Sequence, residues 1–326
     1  MGCIFLCTPI SKALSIMYNI DKFYLLKKYI KITDFNVLKR RRRHIMENNF
    51  NTPVQVLEAN LKAGEGKASL PLLKCILLGI MAGAFIAFGG ASSNAAIHNI
   101  SNQGLAKALA GTIFPVGLMM IVFVGGELFT GDCLMIAGVV DKRFSALKMI
   151  KTLVVVWLSN LVGAVIVVTL VYFSGLLDYT DGMLGAFTIK VAYTKCNIAP
   201  VKAVCSGILC NILVCIAVLM ATSAKDIAGK VWAIFFPIWA FVIGGWEHCV
   251  TNMFYIPAGI IASCNENYVA KAEELYGITA DQIAASVNIG GFVSNQIPVT
   301  IGNILGGMVF VALPLYAIHK SKACNK

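Results

Sequence analysis

The chain has 326 residues, of which 58% are hydrophobic and 13% charged, with a mean hydropathy of +0.78. A soluble domain carries about a quarter of its residues as charges, so this composition excludes a water-soluble globular protein and predicts an all-α integral membrane protein. The net charge of +11 belongs to the head: residues 1–45 hold ten basic and two acidic side chains, and the remainder is close to balance.

Residues 1–45 form a basic N-terminal extension, expected to be disordered or a misassigned start. Arg40–Arg43 after Lys39 reads as a nucleic-acid or import patch, as a contact for anionic lipid, or as a segment outside the working protein. It does not read as a cleaved signal peptide, because its apolar stretch ends in four arginines rather than a small-residue cleavage site. Met46 opens an amphipathic run (Val54, Val56, Leu57, Leu61) and the spanning domain, residues 46–326. Six apolar segments follow, at about 70–97, 107–140, 147–177, 201–222, 231–262 and 287–318. Each exceeds the ~20 residues a helix needs to cross the hydrocarbon core.

The second and fifth segments are longer than one crossing requires, and both carry glycine pairs and ionisable groups at mid-length. The second contains Gly125-Gly126-Glu127-Leu128-Phe129-Thr130-Gly131-Asp132, and the fifth Gly244-Gly245-Trp246-Glu247-His248. A charge at that depth is costly, roughly 2.5–3.5 kcal/mol on insertion scales, and broken helices at mid-membrane are how many transporters build a binding site. Gly-Gly followed by Glu recurs in the middle span of each half. Three spans per half is an odd number, so halves that share a fold must be inserted upside down relative to each other. The prediction is an inverted 3+3 repeat with helices 2 and 5 broken.

Basic residues concentrate before the first span, after the second and fourth, and at the C-terminus; the opposite loops hold Lys107, Lys190, Lys195, Lys202 and Lys271. The positive-inside bias places both termini in the cytoplasm of a multi-pass plasma (inner) membrane protein. The eleven cysteines contain no C-x-x-C and no zinc spacing, and read as small hydrophobes. Cys196 and Cys264 are a conceivable but unsupported pair. No H-E-x-x-H occurs, and His44, His98 and His319 lie outside the spans or at their ends. No metal or cofactor is called for, and an enzyme is disfavoured. A neutral-solute channel remains the alternative from another class, although no Asn-Pro-Ala occurs.

Gly126-Glu127-Leu128-Phe129-Thr130-Gly131, Gly207–Cys215, Glu247-His248 with Asn252-Met253, and Ile297–Asn303 follow one another along the chain. In this order these blocks resemble the formate/nitrite transporter family. The likeness runs from about residue 53 to 318, with departures at Asp132, where Asn is common, and at Ile216. It implies an aquaporin-like protomer in a homopentamer, one pore per protomer, with no nucleic-acid partner. The implied solute is a small monovalent anion of a weak acid: formate first, with nitrite and hydrosulfide as alternatives, and protons as a possible companion.

By this resemblance Phe114, Leu118 and Phe241 form apolar constrictions, with Leu128 at the cytoplasmic one. Lys195 draws anions into the outer vestibule. Asn211 donates to the solute or links helices. His248, whose ordinary titration range suits the task, lends charge or a proton to the anion, and Thr130 and Asn303 hydrogen-bond His248 or the solute. Glu127 and Glu247 are expected to support the helix breaks by accepting backbone N–H groups left unpaired there.

Overall fold

Thr52 starts the first helix of the computed structural model, which describes residues 50–320; the basic head and its arginine run lie outside the described residues. The Thr52 hydroxyl accepts from Gln55 N–H while the Gln55 side chain accepts from Thr52 N–H, and Pro53 takes the first helical position, where no donor is needed. This helix, α1 (Pro53–Ala68), buries Val56, Leu57 and Leu61.

The first crossing is α2 (Leu72–Ile97). The second is interrupted: α3 (Gln103–Val124) ends at Gly125, and the chain re-enters as α4 (Phe129–Val140). The third is α5 (Ala146–Phe173), capped by Ser145. Three crossings therefore separate α1 from α6 (Met183–Cys196), and the two helices lie at opposite faces of the membrane. The second half repeats the order: α7 (Pro200–Ser223), α8 (Ile227–Gly244), a break, α9 (Cys249–Ala262), and α12 (Ile289–Lys320). Between α9 and α12, two short helices, α10 (Glu266–Tyr276) and α11 (Ala280–Ser286), occupy the acidic loop on the α6 face.

Hydrocarbon supplies no hydrophobic drive between helices, so close packing holds them. Where α2 crosses α5, a methyl added at Gly83 would collide with the Asn160 carbonyl, and one at Gly163 with the Ile80 carbonyl. Where α7 crosses α12, methyls at Gly302 and Gly306 would meet the Val204 and Ile208 carbonyls. The outward faces stay apolar: on α5, Leu147, Leu158, Leu170 and Phe173 are all exposed, as a lipid-facing helix requires.

Glycines open both breaks. Gly125 has φ +104° and Gly245 φ +66°, backbone conformations that other residues rarely adopt. At the end of the second crossing, Asp141 accepts from Arg143 (2.8 Å), Tyr316 (2.9 Å) and Lys320 (3.2 Å), tying α4 to the C-terminal turns of α12. Burial alone would raise the Asp141 carboxyl, but these three donors outweigh it and hold the group below its ordinary range.

Candidate functional site

A broken helix in lipid frees backbone groups that must find partners inside the protein. One asparagine from a straight helix supplies them at each break. Asn160 on α5 accepts from Phe129 N–H (3.0 Å) and donates to the Glu127 (2.9 Å) and Gly79 (2.8 Å) carbonyls. Asn303 on α12 accepts from Cys249 N–H (2.9 Å) and donates to the Glu247 (3.0 Å) and Gly207 (2.8 Å) carbonyls. The two sets match atom for atom, so the inverted repeat extends to individual hydrogen bonds.

This corrects two expectations. Glu127 and Glu247 do not accept the freed N–H groups. Those of Glu127 and Glu247 go to the Leu78 carbonyl (3.1 Å) and the Ser206 hydroxyl (2.9 Å), and those of Phe129 and Cys249 to the two asparagines. A carboxylate at this depth finds a cation instead, because an unpaired charge costs more than an unpaired amide. Glu247 binds Lys195 Nζ (2.9 Å) and accepts from Asn252 Nδ2 (2.6 Å). Glu127 binds Lys67, from the end of α1, and Lys67 also binds Asp132. Asn303, in turn, spends its side chain on the break and bonds neither His248 nor an open space; it is fully buried.

Between the breaks, Thr130 Oγ1 meets His248 Nε2 at 3.0 Å. His248 is also the N-cap of α9: its Nδ1 accepts from Thr251 N–H at 3.0 Å. A nitrogen that accepts carries no proton, so the ring proton sits on Nε2 and points to Thr130. Asn211 Nδ2 donates to the Thr130 (3.1 Å) and Asn303 (2.6 Å) carbonyls and so links helices. Leu128 stands in the first break at the position that His248 takes in the second, and is buried.

From the α6 face a cavity of about 610 Å³ descends to His248. Lys107, Lys190 and Lys195 line it against one carboxylate, Glu247, together with Phe114 and Phe241. These two rings meet edge to face at 5.5 Å, and Phe241 lies 6.1 Å from the imidazole. Leu118, one turn beyond Phe114, is buried and does not line the cavity. The arrangement is a basic vestibule closed by aromatic rings, with one histidine behind them. Residues 196 and 264 are free thiols.

Sequence reasoning missed Asn160 and Lys67. Both carried a signal: Asn160-Leu161-Val162-Gly163 matches Asn303-Ile304-Leu305-Gly306, and Lys67 precedes Gly79 by the spacing that separates Lys195 from Gly207.

Six apolar crossings, two of them broken and clamped at mid-depth, define a multi-pass membrane transport protein. The family model described as formate/nitrite transporter matches residues 54–317, and the chain belongs to that family. It is 39% identical over 287 residues to "Probable formate transporter" of Methanothermobacter thermautotrophicus, covering 82% of this chain and 96% of that one. It is 35% identical over 266 residues to "Formate channel FocA" of Haemophilus influenzae, covering 80% and 92%. Among solved structures it is similar to a pentameric formate channel with formate bound (TM-score 0.67, 31% identity, 76% of this chain and 98% of that one). An FNT family ion channel aligns with TM-score 0.68 at 26% identity, covering 81% and 98%.

Proposed function

We propose that this protein conducts formate across the plasma membrane through one pore per protomer of a homopentamer, with the α1 face and both termini cytoplasmic. The observation that carries the reading is the contact of His248 Nε2 with Thr130 Oγ1 at the foot of the lysine-lined cavity. Formate channels among the relatives support formate as the solute.

An anion entering a dry slit loses its hydration shell, and a fixed donor must replace it. Lys107, Lys190 and Lys195 raise the local anion concentration at the α6 face. Phe114 and Phe241 strip water at the foot of the cavity, with Leu118 packed behind them, and Leu128 repeats that task toward the α1 face. At the centre His248 Nε2–H turns from Thr130 to the anion. The ring gains a full positive charge only by protonating Nδ1, which must first release Thr251 N–H and uncap α9. Flux accordingly rises as pH falls, through a histidine that is neutral at rest. Asn211 and Asn303 act on the solute only by holding the breaks that face it.

The test is flux from proteoliposomes under a formate gradient, with nitrite and bisulfide as competitors. Formate flux well above that of protein-free vesicles is expected, with weaker inhibition by nitrite and bisulfide. No anion flux overturns the reading, and stronger flux of nitrite or bisulfide reassigns the solute.

A further inference from the structure

The two lysine clusters correspond through the inverted repeat, Lys67 and Glu127 to Lys195 and Glu247, and their charge differs at one position. On the α6 face Lys195 and Glu247 are completed by Asn252, which is neutral and donates to Glu247 at 2.6 Å and to Asn295 at 2.8 Å. On the α1 face Lys67 and Glu127 are completed by Asp132. One ammonium there faces two carboxyl groups. Asp132 is fully buried, and its Oδ2 has no hydrogen-bond partner. Its carboxyl and that of Glu127 lie on the same Lys67 nitrogen.

With both carboxyls ionised the cluster carries one uncompensated negative charge in a buried site. A bare carboxylate there is expensive, and two that share a site hold one proton between them. It would also set a repulsive charge beside Leu128, on the route an anion takes to the α1 face. We infer that the Lys67–Glu127–Asp132 cluster holds one exchangeable proton and is a second proton site, on the cytoplasmic side of the pathway. This rests on the formate reading only for what the proton does, not for its presence.

Lys67 and Glu127 keep 27% and 11% of their side chains exposed, which gives a proton a way into the cluster. A weak-acid anion arriving from the α1 side takes this proton onto a carboxylate oxygen. The carboxyl O–H bond breaks as the acid O–H bond forms, and the neutral acid enters the slit past Leu128. The carboxyl pair then regains a proton from the aqueous side. The charged and titratable groups that face Asp132 are Lys67 from α1, Glu127, and the thiols of Cys75, Cys133 and Cys215. No second cation faces it among the described residues, so the excess charge has no other compensation.

The test uses the purified full chain in lipid, read by infrared difference spectroscopy during a pH jump, with no formate present. The wild type is expected to show the carbonyl stretch of a protonated carboxyl that titrates. That band is lost in Asp132→Asn and in Glu127→Gln, and kept in His248→Ala. Formate flux in proteoliposomes is then measured against pH; in Asp132→Asn it is expected to fall by ~100-fold or more at the alkaline end, the lower end of what a lost general acid costs. Absence of a titrating carboxyl band in the wild type overturns the proposal, as does its persistence in both variants. Should Asp132→Asn fail to assemble by size exclusion, the wild-type band and Glu127→Gln decide. Because the band is read without solute, a protein that lacked formate flux would sink the transport reading and leave the proton site standing or fallen on its own result.

Discussion

Asn160 and Asn303 each bind three backbone groups that an interrupted span leaves without a partner. Losing such a side chain strands all three in a dry interior, and an unmade hydrogen bond there costs about 1–3 kcal/mol. Asn303→Ala should destabilise the detergent-solubilised protein by more than ~3 kcal/mol by that reckoning, and Asn160→Ala by a similar amount, measured as thermal unfolding. Equal losses are the signature of a repeated clamp; a variant that unfolds like the wild type would show that water or a neighbour fills the gap. This level was the least legible in the sequence. Glu127, Glu247 and His248 stood out because charge in hydrocarbon is conspicuous. An asparagine in a straight span looks the same whether it serves the solute or the backbone, and only its partners, distant in the chain, decide. The matching N-x-x-G at Asn160 and Asn303 was readable as a repeat, but not as a clamp.

Each crossing of straight helices depends on glycine meeting carbonyl. A methyl at Gly83 would overlap the Asn160 carbonyl, and one at Gly163 the Ile80 carbonyl, both rigid backbone. Gly83→Ala should therefore prise α2 from α5 and cost more than ~2 kcal/mol, the range of overpacked cores. Gly66, on α1, has nothing near its missing side chain; Gly66→Ala should be neutral or stabilise by up to ~1 kcal/mol through helix propensity. Thermal unfolding of the pair separates close packing from propensity.

At the corner where α4 ends, Asp141 is held below its ordinary range, so its contribution is present above the carboxylate range of the unfolded chain. That contribution is lost as pH falls through the lowered folded value. The wild type should exceed Asp141→Asn in melting temperature at neutral pH, and the gap should close on acidification. A gap independent of pH would mean the ion cluster contributes nothing. The elements themselves were legible: apolar length gave six crossings and paired glycines gave both breaks. The helices on the α6 face were not, because α6, α10 and α11 are short, and two of them are polar.

At the scale of the whole molecule, the inverted repeat explains why the two breaks meet and why a hydrogen bond, His248 with Thr130, joins them. The same symmetry makes its exceptions informative. Leu128 opposite His248, and Asp132 opposite Asn252, are places where the two faces of the membrane are treated differently. The fold and the transport class could be read from the sequence because hydropathy and glycine placement are local signals. The lysine pairings could not, since Lys67 and Glu127 are brought together only by the packing of α1 beneath the first break. The central claim is that a small weak-acid anion passes this contact and is received by His248. It is tested most directly by formate flux in proteoliposomes as a function of pH, for the wild type and His248→Ala side by side. The account predicts wild-type flux that rises as pH falls, and an altered pH profile in a variant that still assembles. Formate flux no greater than in protein-free vesicles, or identical pH profiles for the two proteins, would contradict it.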